Sequence, residues 1–243
     1  QKKNEVFMMK KFILFCISCL IILTGCSSIP GPVEESYLLD KTPAESEKIN
    51  TLEQKIIEKN KERQTVEKRL KEISPLAPQT EEELKLLKKE NAALKEMVNF
   101  YSQNKDAVNL EKKNKELKEN EELIEQKTNL FNYQKAETEM TQANLDLKSA
   151  ELNLLVAELN YEKSKIAARN REKQGDPGNQ GGGNFFTNLF SKPDPDDKYG
   201  YKKYENYYKK QQEELTKAEK KFKESEKKFL EAKAAFDSKN LNK

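Results

Sequence analysis

The chain has 243 residues, 36% of them charged and 35% hydrophobic, where ordinary globular domains run at about 25% charged and about 45 to 50% apolar. It contains 8 Gly, 8 Pro, 3 Cys, no His and no Trp, and its formal charge is +3. Collagen-like, zinc-finger and disulfide-scaffold classes are excluded, and the Lys/Glu/Leu/Ala-rich remainder is the composition of long helices and coiled coils.

Met8, Met9, Lys10 and Lys11 precede an apolar run from Phe12 to Leu23, a cationic n-region followed by an h-region of about 12 residues, as in a secretory signal. A membrane span would need about 20 residues. Residues 1–7 lie upstream of the expected start at Met8 or Met9. Leu23-Thr24-Gly25-Cys26 then resembles the lipobox of bacterial lipoproteins. That resemblance implies thioether lipidation of Cys26, cleavage before it to remove residues 1–25, and two or three acyl chains (palmitate among them), which suffice for stable attachment where one chain does not. Read without it, the same residues are an ordinary secretory signal with a chance cysteine. By the sorting rule of Gram-negative lipoproteins, the non-acidic Ser27 implies the outer membrane, with the periplasmic side favoured over the cell surface.

Loss of residues 1–25 removes Lys2, Lys3, Lys10, Lys11 and Glu5 and leaves 41 of 45 basic and 41 of 42 acidic residues. The expected mature chain is neutral, with its charges alternating in sign, so no nucleic-acid partner is implied. Cys16 and Cys19 leave with the signal, which leaves Cys26 without a partner for a disulfide.

Residues 26–41 contain Pro30, Gly31 and Pro32 and read as a lipidated flexible tether. Thr42, Pro43 and Glu45 supply an N-cap, a proline at the first helical position and the acidic residue of a capping box. Helix 1 is expected over 42–74, with Ile49, Leu52, Ile56, Val66, Leu70 and Ile73 inside and Lys59 and Arg63 interrupting; Pro75 and Pro78 end it.

Thr80 and Glu83 form a second capping box, and no Gly or Pro follows until Gly175. With Leu84 at heptad position a, the a series runs through Asn91 and Val98, turns polar at Lys105, Lys112, Glu119 and Gln126, and resumes in phase at Tyr133, Met140, Leu147, Leu154 and Tyr161. The kept phase predicts one long coiled-coil helix over 80–173, which would span roughly 140 Å. The asparagines at 104, 109, 114, 120 and 129 leave a hinge within 104–130 open.

Residues 174–198 form a Gly/Pro-rich loop carrying the apolar island Phe185, Phe186, Leu189 and Phe190. The C-terminal helix is expected over 199–243, with a positions Tyr201, Tyr208, Leu215, Phe222, Phe229 and Phe236. Its aromatic a series matches the alanine d series Ala136, Ala143, Ala150 and Ala157, which predicts a C-terminal antiparallel helical hairpin of alternating large and small layers. Self-pairing of each helix in an oligomer is the alternative. The fold class is therefore all-α, an elongated coiled coil.

A second stripe, Leu110, Leu117, Ile124, Phe131, Leu145, Leu152, Leu159 and Ile166, occupies position f. A helix with two apolar stripes must be buried on two sides. The third partner is either residues 43–73 folded back or the same stripe of another subunit, and the oligomer is slightly favoured. Asn91, at an a position, either fixes oligomer register by pairing with its own copy or marks a solvated seam.

No catalytic constellation is present. Without histidine or a free mature cysteine, imidazole acid-base work, His/Cys metal ligation and thiol nucleophiles are excluded. The acidic runs lie on polar faces, and residues 181–183 lack the lysine and preceding strand of a phosphate loop. No metal, cofactor or small-molecule substrate is expected beyond the lipid on Cys26. The apolar island Phe185, Phe186, Leu189 and Phe190 is the candidate partner-binding site, or else a plug folded onto the hairpin. The alanine-every-seven pattern of 136–166 is similar to the periplasmic helical hairpins of outer-membrane efflux channels and their adaptors.

The expected function is that of a non-catalytic, lipid-anchored scaffold or spacer of the cell envelope, homo-oligomeric or bound to another envelope protein. A surface-exposed helical adhesin is the alternative, and an accessory of a secretion or efflux assembly the third reading.

Overall fold

The computed structural model describes residues 29–174 and 200–240. Among them are a 3₁₀ turn, Glu35–Leu38, and four α-helices, α1 (Pro43–Ile73), α2 (Leu76–Gln103), α3 (Ala107–Gln174) and α4 (Lys202–Asn240), with no strand. The fold is all-α. Two compact units divide it, residues 1–46 with 160–209 and residues 47–159 with 210–243.

In the larger unit, α2 buries a single seam. From Ala77 to Tyr101 the shielded residues are Ala77, Thr80, Leu84, Leu87, Asn91, Leu94, Val98 and Tyr101, and every residue between them is exposed. In α4, Gln211, Leu215, Ala218, Phe222, Ser225, Phe229, Ala232 and Phe236 are shielded in the same way. Steps of three and four keep side chains on one stripe of a helix.

The middle helix, α3, has no comparable single face. Between Phe131 and Leu159 only Asn132, Lys135, Glu139, Gln142, Asn153 and Val156 are exposed, because α3 has neighbours on two sides. Along one side run α2 and α1, through Lys95–Glu121 at 3.1 Å, Glu83–Lys127 at 2.5 Å, Arg69–Glu137 at 2.7 Å, Glu62–Lys148 at 3.1 Å and Lys59–Glu151 at 3.0 Å. Numbers on one arm rise as those on the other fall, so the pairing is antiparallel. Most of these α3 residues sit at positions b and e, beside the f stripe. On the other side, α4 brings Phe229 and Phe236 to Tyr133, with ring centroids 5.6 and 5.2 Å apart, and Lys221 to Asp146 at 2.6 Å.

Three expectations are corrected. The continuous helix over 80–173 is divided at residues 104–106. Lys105 takes a left-handed φ of 56°, its N–H donates to Ser102 O at 3.2 Å, and the Asp106 N–H donates to Tyr101 O at 3.1 Å, the paired bonds of a Schellman cap. Asp106 then caps α3 by accepting from the Asn109 N–H at 3.2 Å. The break falls at the edge of the 104–130 segment in which the asparagines left a hinge open.

Second, Thr80 does not cap a helix. α2 begins at Leu76, and Pro78 fits in its first turn, where a missing N–H breaks no intrahelical bond. Thr80 is buried and donates its hydroxyl to Gln134 Oε1 at 2.7 Å. Third, the partner for the f stripe, slightly favoured to be another subunit, comes from the same chain. Leu110, Lys113, Leu117, Asn120, Ile124 and Lys127 are all shielded in the arm antiparallel to α2.

Candidate functional site

The feature of the smaller unit that packing of helices does not explain is the segment preceding α1. The flexible tether expected over 26–41 is, in its described part, a strap bonded to two helices. Leu38 is buried at 6% exposure. The Tyr204 hydroxyl donates to Gly31 O at 2.8 Å, Asn170 Nδ2 donates to Tyr37 O at 2.8 Å and Asp40 O at 3.2 Å, and Arg169 Nη2 donates to Asp40 O at 2.6 Å. Lys173 pairs with the Asp40 carboxylate at 2.8 Å, and the Arg171 guanidinium lies 4.1 Å from the centroid of the Tyr37 ring.

Helical geometry supplies these groups. Ile166, Ala167 and Ala168 are buried, and the two alanines let a neighbouring backbone come close. Arg169 and Asn170 follow on the next turn with donors that satisfy carbonyls of a strap lacking a ladder of its own. Asn170 is itself only 3% exposed. The strap leads directly into the capping box of α1, which forms as expected: Thr42 N donates to Glu45 Oε2 at 2.8 Å, and Glu45 N donates to Thr42 Oγ1 at 3.3 Å. Glu45 also pairs with Arg169.

The electrostatics follow this arrangement. Burial pushes the Glu45 carboxyl up, but the bonds from Arg169 and Thr42 outweigh it and hold its pKa below the ordinary value. Lys173, by hydrogen bond and charge, holds the Asp40 carboxyl down. Burial pushes the Tyr204 phenol up. These groups fasten a segment. In the larger unit an open groove of about 420 Å³ lies between α3 and α4, where the small Ala150 and Ala218 leave room. Its charges are matched, Lys221 with Asp146 and Lys217 with Glu214.

Among the described residues no cluster of His, Cys, Asp or Glu is placed to hold a metal ion, and no helix is long and apolar enough to cross a membrane. Cys26, Phe185, Phe186, Leu189 and Phe190 lie outside the described residues. Asn91 is buried and not at a solvated seam, and its Nδ2 donates to Oδ1 of the buried Asn120 at 3.0 Å. The clasp residues Arg169, Asn170 and Tyr204 escaped sequence reasoning, since two of them read as ordinary polar residues near a helix end and the third as a heptad aromatic. No known protein family, curated protein or solved structure matches the chain.

Proposed function

We propose that this protein is a non-catalytic, lipid-anchored helical scaffold or spacer of the bacterial cell envelope, attached to the outer membrane through acyl chains on Cys26 and contacting another envelope component. One observation carries the reading: the segment that follows Leu23-Thr24-Gly25-Cys26 is bonded into the helices from Gly31 onward. An anchor on Cys26 would then act on the helical body through a fastened strap. The three- and four-residue spacing in α2 and α4 supports antiparallel coiled-coil hairpins as the body of the scaffold. The partner contact is assigned to Phe185, Phe186, Leu189 and Phe190. Met97, Phe100 and Val108, exposed by 44, 59 and 81% near the turn at 104–106, are further apolar candidates for such a contact.

Metabolic labelling with an alkyne palmitate tests the anchor, with label expected on the wild-type chain and lost in Cys26→Ser. Digestion of intact cells with a protease that cannot cross the outer membrane tests the side. Survival of the chain until the cells are permeabilised fits the periplasmic scaffold, whereas loss beside an intact periplasmic control would replace it with the adhesin.

A further inference from the structure

Leu39 is 87% exposed and Ile29 73%. Solitary surface leucines need no explanation, but Leu39 is held in place. Its neighbour Leu38 is buried, and the carbonyls of Tyr37 and Asp40 on either side are fixed by Asn170 and Arg169. Leu39 cannot turn inward without breaking those bonds. Beside it stand the exposed Lys41 and Lys173, the latter 58% exposed and paired with Asp40.

Ile29 follows Cys26 by three residues, and an extended chain advances at most about 3.6 Å per residue, so the two lie within about 11 Å of each other. The outward-held Leu39 and an exposed Ile29 this close to the anchor suit the boundary between acyl chains and headgroups. We infer that the strap carrying Ile29 and Leu39 lies against the lipid bilayer, with these two exposed side chains entering the interface beside the anchor. This rests on the lipid-anchor reading above, and its occupant is membrane lipid, not a protein.

The test is photo-crosslinking in cells. A diazirine analogue of an aliphatic residue is placed in the full chain at position 29 or 39, and at 100 or 230 as controls, where Phe100 and Leu230 are 59% and 58% exposed. Lipid adducts several-fold more abundant at 29 and 39 than at 100 and 230 are expected. Palmitate labelling is measured on the same chains. Label present with adducts no more abundant than at the controls, or with protein adducts at 29 and 39 instead, overturns the lipid-facing strap and leaves the anchor standing. Absence of label overturns the anchor itself.

Discussion

The side-chain amide of Asn91 donates to Oδ1 of Asn120 at 3.0 Å, and Asn120 in turn donates to Glu90 Oε2 at 3.3 Å. Both asparagines are buried, at 8% and 7% exposure, between α2 and the arm of α3 antiparallel to it. Asn91→Leu alone leaves the Asn120 amide short of a partner and should cost about 1 to 3 kcal/mol, whereas the double replacement by leucine removes both polar groups and should be close to neutral. A double-mutant cycle by urea unfolding measures the coupling. Equal, additive losses from the two single substitutions would show that the amides do not act as a pair.

Lys105 pays a backbone cost that glycine would not. Its φ of 56° lies in the left-handed region, which costs an L-residue about 1 to 2 kcal/mol and is the position glycine commonly takes in a Schellman cap. Lys105→Gly should therefore raise stability by about 0.5 to 1 kcal/mol after the extra unfolded-state entropy of glycine is subtracted. Lys105→Val should lower it, because a β-branched residue is a steric outlier there. A reversed order of the two variants in thermal unfolding would mean that residues 104–106 do not form this turn.

Which elements were legible follows from where their determinants lie. In α4 the expected a positions Leu215, Phe222, Phe229 and Phe236 are all shielded, and the Thr42–Glu45 box is closed by residues three apart. The f stripe was equally visible, but sequence periodicity does not say whether its partner comes from the same chain or another. That depends on the turn at Asn104, Lys105 and Asp106, which carries lysine where glycine would have announced it, and on Pro78, which sits inside a helix start. The strap was opaque because Arg169, Asn170 and Tyr204 bond to backbone carbonyls, and a carbonyl has no residue type to recognise.

Tyr133 holds the N-terminal part of the α3–α4 contact. Its ring is stacked on Phe236 at an interplanar angle of 20° and tilted by 42° to Phe229. Aromatic pairs contribute about 0.5 to 1.5 kcal/mol beyond the area they bury. Tyr133→Ala should cost about 1 to 3 kcal/mol, below the 3 to 5 of a fully buried aromatic, since this side chain is only half-buried. Tyr133→Phe keeps both ring contacts and should change stability by less than about 1 kcal/mol. Urea unfolding followed by circular dichroism separates the two, and a loss of the same size in both variants would assign the effect to the hydroxyl.

Release of the strap should be visible without unfolding the helices. Arg169→Ala removes the bond to Asp40 O and the ion pair with Glu45; Asn170→Ala removes the bonds to Tyr37 O and Asp40 O. Each should speed trypsin cleavage after Lys41 several-fold, with a smaller effect from Tyr204→Phe, which loses only the bond to Gly31 O. The fastening also depends on pH with a definite sign. Asp40 and Glu45 are both held below their ordinary pKa, so their contribution is fully present above the unfolded value of about 4 and is lost as pH falls through the lowered folded value. The difference in unfolding midpoint between wild type and Arg169→Ala should accordingly narrow as pH drops below about 4. A gap that stays constant or widens on acidification would show that the Glu45 carboxylate is not what Arg169 holds.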